Sequence, residues 1–127
     1  MGQMTGFLAT VLICEDEPSL RELIRISLDG RYEFAEVEDG LECLEVAREV
    51  RPDLIVLDMM LPGRNGIEIL RDLRQDSDLA ETPVVVLTAQ PATREDALRE
   101  GATLVMDKPF DPDDFSAAVK EVLAGLE

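Results

Sequence analysis

Four short runs of aliphatic residues limit the folding of this chain more than any other feature. They are Thr10-Val11-Leu12-Ile13, Leu54-Ile55-Val56-Leu57, Val84-Val85-Val86-Leu87 and Leu104-Val105-Met106. Apolar runs this short, bounded by turn signals, read as strands, and Leu54–Leu57 reads as one buried on both faces. The segments between them carry apolar residues at helical spacing. Alternation of the two kinds predicts a parallel sheet with helices on both sides.

The elements can be placed by their ends. The first strand is expected over Ala9–Cys14. Pro18 suits the first turn of a helix, Leu20, Leu23, Ile24 and Leu28 give it one apolar face, and Gly30 ends it. Glu33 to Val37 is a short strand, polar enough for a sheet edge. The second helix is expected over Leu41–Val50 with Leu41, Leu44 and Ala47 inward, and Pro52 stops it. The third strand is Leu54–Leu57. Pro62, Gly63, Asn65 and Gly66 then make a loop. The third helix, Ile67–Arg74, should bury Ile67, Leu70 and Leu73.

A fourth strand follows over Val84–Leu87. The fourth helix is expected over Thr93–Glu100, weakly amphipathic and closed by Gly101, and the fifth strand over Thr103–Met106. Asp111 caps a last helix that has Pro112 in its first turn and Phe115, Ala118, Val119, Val122 and Leu123 on its buried face. Five strands and five helices use all 127 residues. The expectation is a single α/β domain over residues 1–127, with no linker or repeat.

Charge and residue usage then narrow the function. Twenty-eight acidic residues against twelve basic ones give a formal charge of −16. That sign argues against a nucleic-acid backbone as partner and leaves cations and basic protein surfaces. No apolar stretch approaches the roughly 18 residues of a membrane span, and Met1 to Thr10 has no basic n-region of a signal peptide. Cys14 and Cys43 form neither a metal-ligand spacing nor a disulfide framework, so a reduced, cytoplasmic setting is the default. Histidine is absent, which removes His-dependent triads, most zinc sites and any phosphohistidine on this chain. Lysine occurs only at Lys108 and Lys120, against ten arginines. A lysine after an apolar segment of such a chain is not a casual surface charge.

The polar residues that end the apolar runs are the chemical signal. Asp58 ends Asp53-Leu54-Ile55-Val56-Leu57-Asp58, where a carboxylate is costly unless compensated. Glu15-Asp16-Glu17, Thr88 and Lys108-Pro109 follow the other three runs. In an open parallel sheet the carboxyl ends of the strands form the ligand crevice. An acidic pair, a lone aspartate, a hydroxyl and an ammonium therefore converge. Taken singly, each also has a plainer reading: a turn aspartate, helix N-terminal acids ahead of Pro18, a β-branched strand end, an exposed lysine.

Four strings in this order resemble the receiver domain of two-component response regulators, the CheY-like superfamily. They are Glu15-Asp16-Glu17-Pro18, Leu57-Asp58-Met59-Met60-Leu61-Pro62-Gly63-Arg64-Asn65-Gly66, Leu87-Thr88-Ala89 and Lys108-Pro109-Phe110, with Gly40 and Gly101-Ala102 in support. The resemblance runs from about Thr10 to Leu126. It implies a doubly wound, flavodoxin-like five-stranded parallel sheet of order 2-1-3-4-5 with five helices. It also implies a phosphoacceptor in a two-component or phosphorelay system: a signalling switch, not an enzyme with a separate substrate.

Under that resemblance a histidine kinase or phosphotransfer protein would supply a phosphoryl group to Asp58. Thr88 would donate its hydroxyl to one phosphoryl oxygen, and Lys108 would neutralise another. Mg²⁺ would be the cofactor. Asp16, Asp58 and the backbone carbonyl of Met60 would ligate it, and Glu15, where most relatives carry Asp, would act through water. The Lys108–Pro109 bond would be cis.

Two positions depart from the family pattern. Three residues before the lysine, where the family usually has Tyr or Phe, stands Val105, so the aromatic half of the usual switch is missing. The segment Thr103-Leu104-Val105 is more apolar than in many relatives, which is either a contact surface or ordinary burial of alternate residues. The output surface is expected on helix four, strand five and helix five. It would take a downstream protein or a second copy as a homodimer, but neither nucleic acid nor membrane.

The competing class is a Mg²⁺-dependent phosphohydrolase with an aspartyl nucleophile, like the haloacid-dehalogenase phosphatases. Those need a second aspartate two residues on as general acid, and Met60 occupies that position and cannot transfer protons. No G-x-G-x-x-G or Walker motif supports a nucleotide site. The end at Ala124-Gly125-Leu126-Glu127 favours a stand-alone regulator over a receiver cut from a longer protein.

Overall fold

The structure is a computed structural model and describes residues 9–28, 30 and 32–125. Strand and helix alternate as β1 (Ala9–Cys14), α1 (Pro18–Ser27), β2 (Tyr32–Val37), α2 (Gly40–Val50), β3 (Leu54–Asp58) and α3 (Gly66–Gln75). They continue as β4 (Val84–Thr88), α4 (Arg94–Arg99), β5 (Leu104–Asp107) and α5 (Pro112–Ala124). All neighbouring strands are parallel, in the order β2-β1-β3-β4-β5. This is the expected doubly wound sheet, with the polar β2 at one edge. Residues 1–8, most of the Met1 to Thr10 stretch that lacks a signal peptide's basic n-region, and the terminal Leu126-Glu127 lie outside the described residues.

Alternation along each strand divides the core in two. Leu12, Cys14, Ile55, Leu57, Val84, Val86 and Val105 pack with Cys43, Ala47, Ile69, Leu70, Leu73 and Ala97 from α2, α3 and α4. Val11, Ile13, Leu54, Val56, Val85 and Leu87 pack on the other face with Ile24, Phe115 and Val119 from α1 and α5. The helix starts follow the capping residues. Asp39 accepts from the Leu41 N–H at 2.8 Å, Asn65 from the Glu68 N–H at 2.9 Å, and Asp111 from Asp113 N at 2.8 Å.

Four local expectations need correction. Leu41 points outward, 66% exposed, and Cys43 takes the inward place with Gly40 and Ala47. Gly40, Cys43, Leu44 and Ala47 form the i, i+3, i+4, i+7 stripe that faces the core, and Leu41 falls off it. On α3, Ile69 is buried and Ile67 only half-buried. The segment before α4 is a 3₁₀ turn over Pro91–Thr93, so α4 begins only at Arg94. β5 is displaced by one residue, because Thr103 spends its hydroxyl oxygen on the Val84 N–H at 3.0 Å while Lys108 continues the pairing by donating its N–H to Thr88 O at 2.8 Å. Val105 is buried and Leu104 packs against the α1 and α5 face. The apolar strand five is thus mainly ordinary alternate burial.

Candidate functional site

The strand order reverses between β1 and β3, and this places their carboxyl ends side by side. Register does the rest. Cys14 pairs with Leu57, Asp58 with Leu87, and Thr88 with Asp107. Glu15, Asp58 and Thr88 are the buried polar or charged residues among those described. All three stand at this one rim. Asp16 is exposed beside them, and carboxylate oxygens of Glu15, Asp16 and Asp58 lie within 4.8 Å of one another.

Lys108 enters from the end of β5 through a cis Lys108–Pro109 bond. Its ammonium stands 3.1 Å from Asp58 Oδ2 and 3.4 Å from Glu15 Oε1. The other Asp58 oxygen, Oδ1, accepts the Met60 N–H at 3.1 Å. Asp58 is therefore held from both sides, one oxygen by a cation and one by a backbone donor. Met60 itself is 61% exposed, so its backbone, not its side chain, belongs to the rim.

Burial pushes the Glu15 carboxyl up to about 7, and the neighbouring Asp58 charge adds to this, against the Glu17 N–H and Lys108 that favour the anion. Burial also works against the Lys108 ammonium, but its bond to Asp58 and the Asp58 and Glu15 charges outweigh that and raise its pKa. Glu15 Oε2 accepts the Glu17 N–H at 3.1 Å, whereas the buried Glu15 Oε1 accepts no hydrogen bond and faces the Lys108 ammonium at 3.4 Å. A rim of three carboxylates, one buried oxygen of which accepts no hydrogen bond, suits a hard cation with oxygen ligands, and Mg²⁺ is such a cation.

Arg21 is a positioning residue that the sequence reading passed over. It donates to the Glu15 carbonyl at 2.7 Å and pairs with Glu36 Oε1 at 3.0 Å. The signal was present in the helical period, because Arg21 lies three residues before the buried Ile24. Thr88 sits on the next strand with its hydroxyl engaged elsewhere, 2.9 Å from Thr93 Oγ1 and 3.2 Å from Gln90 O. A cavity of about 330 Å³ opens beside the rim, lined by Leu20, Leu23, Ala89, Lys108, Pro109 and Phe110 together with Glu17.

A doubly wound parallel sheet whose β1, β3, β4 and β5 ends carry an acid pair, an aspartate, a hydroxyl and a lysine defines a phosphoacceptor signalling domain. The family model described as the response regulator receiver domain matches residues 11–120, and the chain belongs to that family. The DNA-binding response regulator MtrA of Mycolicibacterium smegmatis is 42% identical over 113 residues, which are 87% of this chain and 48% of that protein. The phosphate regulon transcriptional regulatory protein PhoB of Pseudomonas aeruginosa is 38% identical over 117 residues, 90% of this chain and 51% of that protein. The chain thus spans about half the length of the curated relatives it matches.

Solved structures agree on the fold. A response regulator from Chloroflexus aurantiacus superposes with a TM-score of 0.87 at 30% identity, covering 92% of this chain and 98% of that one. The chemotaxis response regulator CheY4 of Vibrio cholerae gives 0.84 at 31% identity, covering 91% and 98%. The phosphohydrolase alternative is not favoured by these relationships.

Proposed function

We propose that Asp58 is the phosphoacceptor and that a histidine kinase or phosphotransfer protein is the donor. An Asp58 oxygen attacks phosphorus, the bond from phosphorus to the donor nitrogen breaks, and the imidazole leaves as an acyl phosphate forms. The observation that carries this reading is the Lys108 ammonium 3.1 Å from the buried Asp58 carboxylate. It holds the nucleophile before transfer and stands ready to pair a phosphoryl oxygen afterwards. Thr88 is placed to donate its hydroxyl to a second phosphoryl oxygen once that hydroxyl is released. Asp16, Asp58 and the Met60 carbonyl would hold a magnesium ion, with Glu15 acting through water, and the ion would neutralise charge on the phosphoryl oxygens.

The domain acts as a switch and turns over no substrate beyond its own phosphoryl group. Its output goes to protein through α4, β5 and α5, where Leu98 is 46% exposed on α4. A downstream protein or a second copy would bind there. The formal charge of −16 argues against a nucleic-acid contact by this domain. The DNA binding in the MtrA name is said of a protein of which this chain matches 48%. Among the described residues no helix is long and apolar enough to cross a membrane, and a cytoplasmic setting fits the two free cysteines.

The test is intact-mass analysis after treatment with acetyl phosphate and Mg²⁺. Wild type should gain one phosphoryl group and Asp58→Ala none. Equal labelling of the two would remove the assignment.

A further inference from the structure

We propose that Thr93 and Arg94 form a polar latch that opposes phosphorylation and couples Thr88 to β5, in the place left by an aromatic ring. The inference rests on Asp58 being the phosphoacceptor.

Thr93 Oγ1 lies 2.8 Å from Gln90 O and donates to it. A hydroxyl has one proton. Thr93 is the nearer of the two hydroxyls to Gln90 O, at 2.8 Å against 3.2 Å for Thr88, so we assign Thr88 as the donor and Thr93 as the acceptor at the 2.9 Å contact between them. Thr88 Oγ1 in turn accepts the Gln90 N–H at 3.0 Å. The single proton that Thr88 could offer a phosphoryl oxygen is committed to Thr93, with Gln90 O as its other neighbour at 3.2 Å. Thr88 can serve a phosphoryl group only by giving up Thr93.

The next residue carries the motion onward. Arg94 opens α4 and reaches across to β5, donating to Val105 O at 3.0 Å and to Asp107 Oδ1 at 3.0 Å. Asp107 is the sheet partner of Thr88. The path thus closes on itself: Thr88 to Thr93 by hydroxyls, Thr93 to Arg94 by the chain, Arg94 to Asp107 by charge, and Asp107 to Thr88 by register. Val105 is buried with Ala97 and Ala102 and offers no ring that could move. The guanidinium is the group that spans α4 and β5 at this level. When Thr88 turns to the phosphoryl group, the 3₁₀ turn over Pro91–Thr93 loses its anchor, and the Arg94 grip on Val105 and Asp107 is released with it.

Thr93 is therefore a positioning residue that holds the unphosphorylated state. Removing its oxygen lowers the cost of switching by about one neutral hydrogen bond, roughly fivefold in affinity for the active form. The test titrates beryllofluoride with Mg²⁺ into wild type, Thr93→Val, Thr93→Ser and Arg94→Gln, followed by amide shifts. Thr93→Val should bind the phosphoryl mimic about fivefold more tightly than wild type, and Thr93→Ser should bind it as wild type does. In Arg94→Gln the shifts at Thr88 and Ala89 should persist while those at Val105 to Asp107 shrink.

Equal affinity of Thr93→Val and wild type would overturn the latch. Full β5 shifts in Arg94→Gln would overturn the coupling. Failure of wild type to take up the mimic at all would overturn the phosphoacceptor reading and the latch together, whereas wild-type binding with a silent Thr93→Val removes the latch alone.

Discussion

The Lys108 ammonium lies 3.1 Å from Asp58 Oδ2, and the same ammonium faces Glu15 Oε1 at 3.4 Å. One cation thus compensates two buried carboxylates contributed by different strands. Replacing Lys108 by alanine leaves both without it. A fully buried pair broken in this way costs about 3–5 kcal/mol. Lys108 is 21% exposed, and the loss should be smaller, about 2 kcal/mol. Urea unfolding without metal should show this loss, and Mg²⁺ should recover part of it.

Asp16 should control the metal. Its carboxylate is the exposed member of the three that lie within 4.8 Å of one another. Asp16→Ala should weaken Mg²⁺ binding about tenfold or more, since one of two proposed carboxylate ligands is lost. Calorimetric titration reads this directly. In wild type, Mg²⁺ should also raise the melting temperature, because a ligand of the folded state stabilises by mass action.

Glu15 predicts a pH dependence in the metal-free protein. Its folded pKa is raised from 4.5 to about 7, so the folded state binds the proton more tightly than the unfolded chain. Stability from this group is fully present below the unfolded value and is lost as pH rises through the folded one. Each tenfold in proton affinity is worth about 1.4 kcal/mol, and since part of the titration lies outside this window the decline is on the order of 2 kcal/mol between pH 5 and pH 7. Glu15→Gln should flatten that decline. Denaturant midpoints across the window, in chelator, will check it.

Arg74 should matter for stability far from the site. It donates to the carbonyls of Gly101, Leu79, Ala80 and Thr82 and ties the end of α3 to the approaches of β4 and β5. Arg74→Ala removes the guanidinium from these carbonyls, of which Leu79 O keeps the Thr82 N–H, and should cost about 2–3 kcal/mol. Gly101 has φ +112°, and a Cβ there would meet Arg74 Cγ at 2.7 Å. Gly101→Ala should cost about 2 kcal/mol through backbone strain and displacement of the same arginine. The two variants share one contact, and their effects should be less than additive in a double-mutant cycle.

Leu98 should report the output face. It is a large apolar side chain 46% exposed on α4, next to the buried Ala97. Leu98→Glu should abolish any association that wild type gains with beryllofluoride, measured by sedimentation velocity. It should leave the labelling of Asp58 intact. An unchanged sedimentation profile would place the face elsewhere.

Most of the fold was legible in the chain because its strands are short, apolar and separated by helical periods. The site was legible for a related reason. Glu15, Asp58 and Thr88 each follow a buried run and Lys108 follows the half-buried β5, and strands ending in polar groups announce where the crevice lies. Leu41 shows the limit. A period of 3.6 allows more than one stripe through Leu44 and Ala47, and packing on the sheet chose the one with Gly40 and Cys43 and left Leu41 outward.

By itself, the sequence determined the alternation of elements, the residues at the strand ends and the acidic character of the rim. Only the tertiary structure decided that Lys108 spans Asp58 and Glu15, that Arg21 holds the Glu15 backbone, and that the Thr88 and Thr93 hydroxyls meet. The reason is one of range. Strand and helix patterns arise from neighbours along the chain, while a side chain's partner depends on which distant backbones the sheet order and the loops bring within about 3 Å.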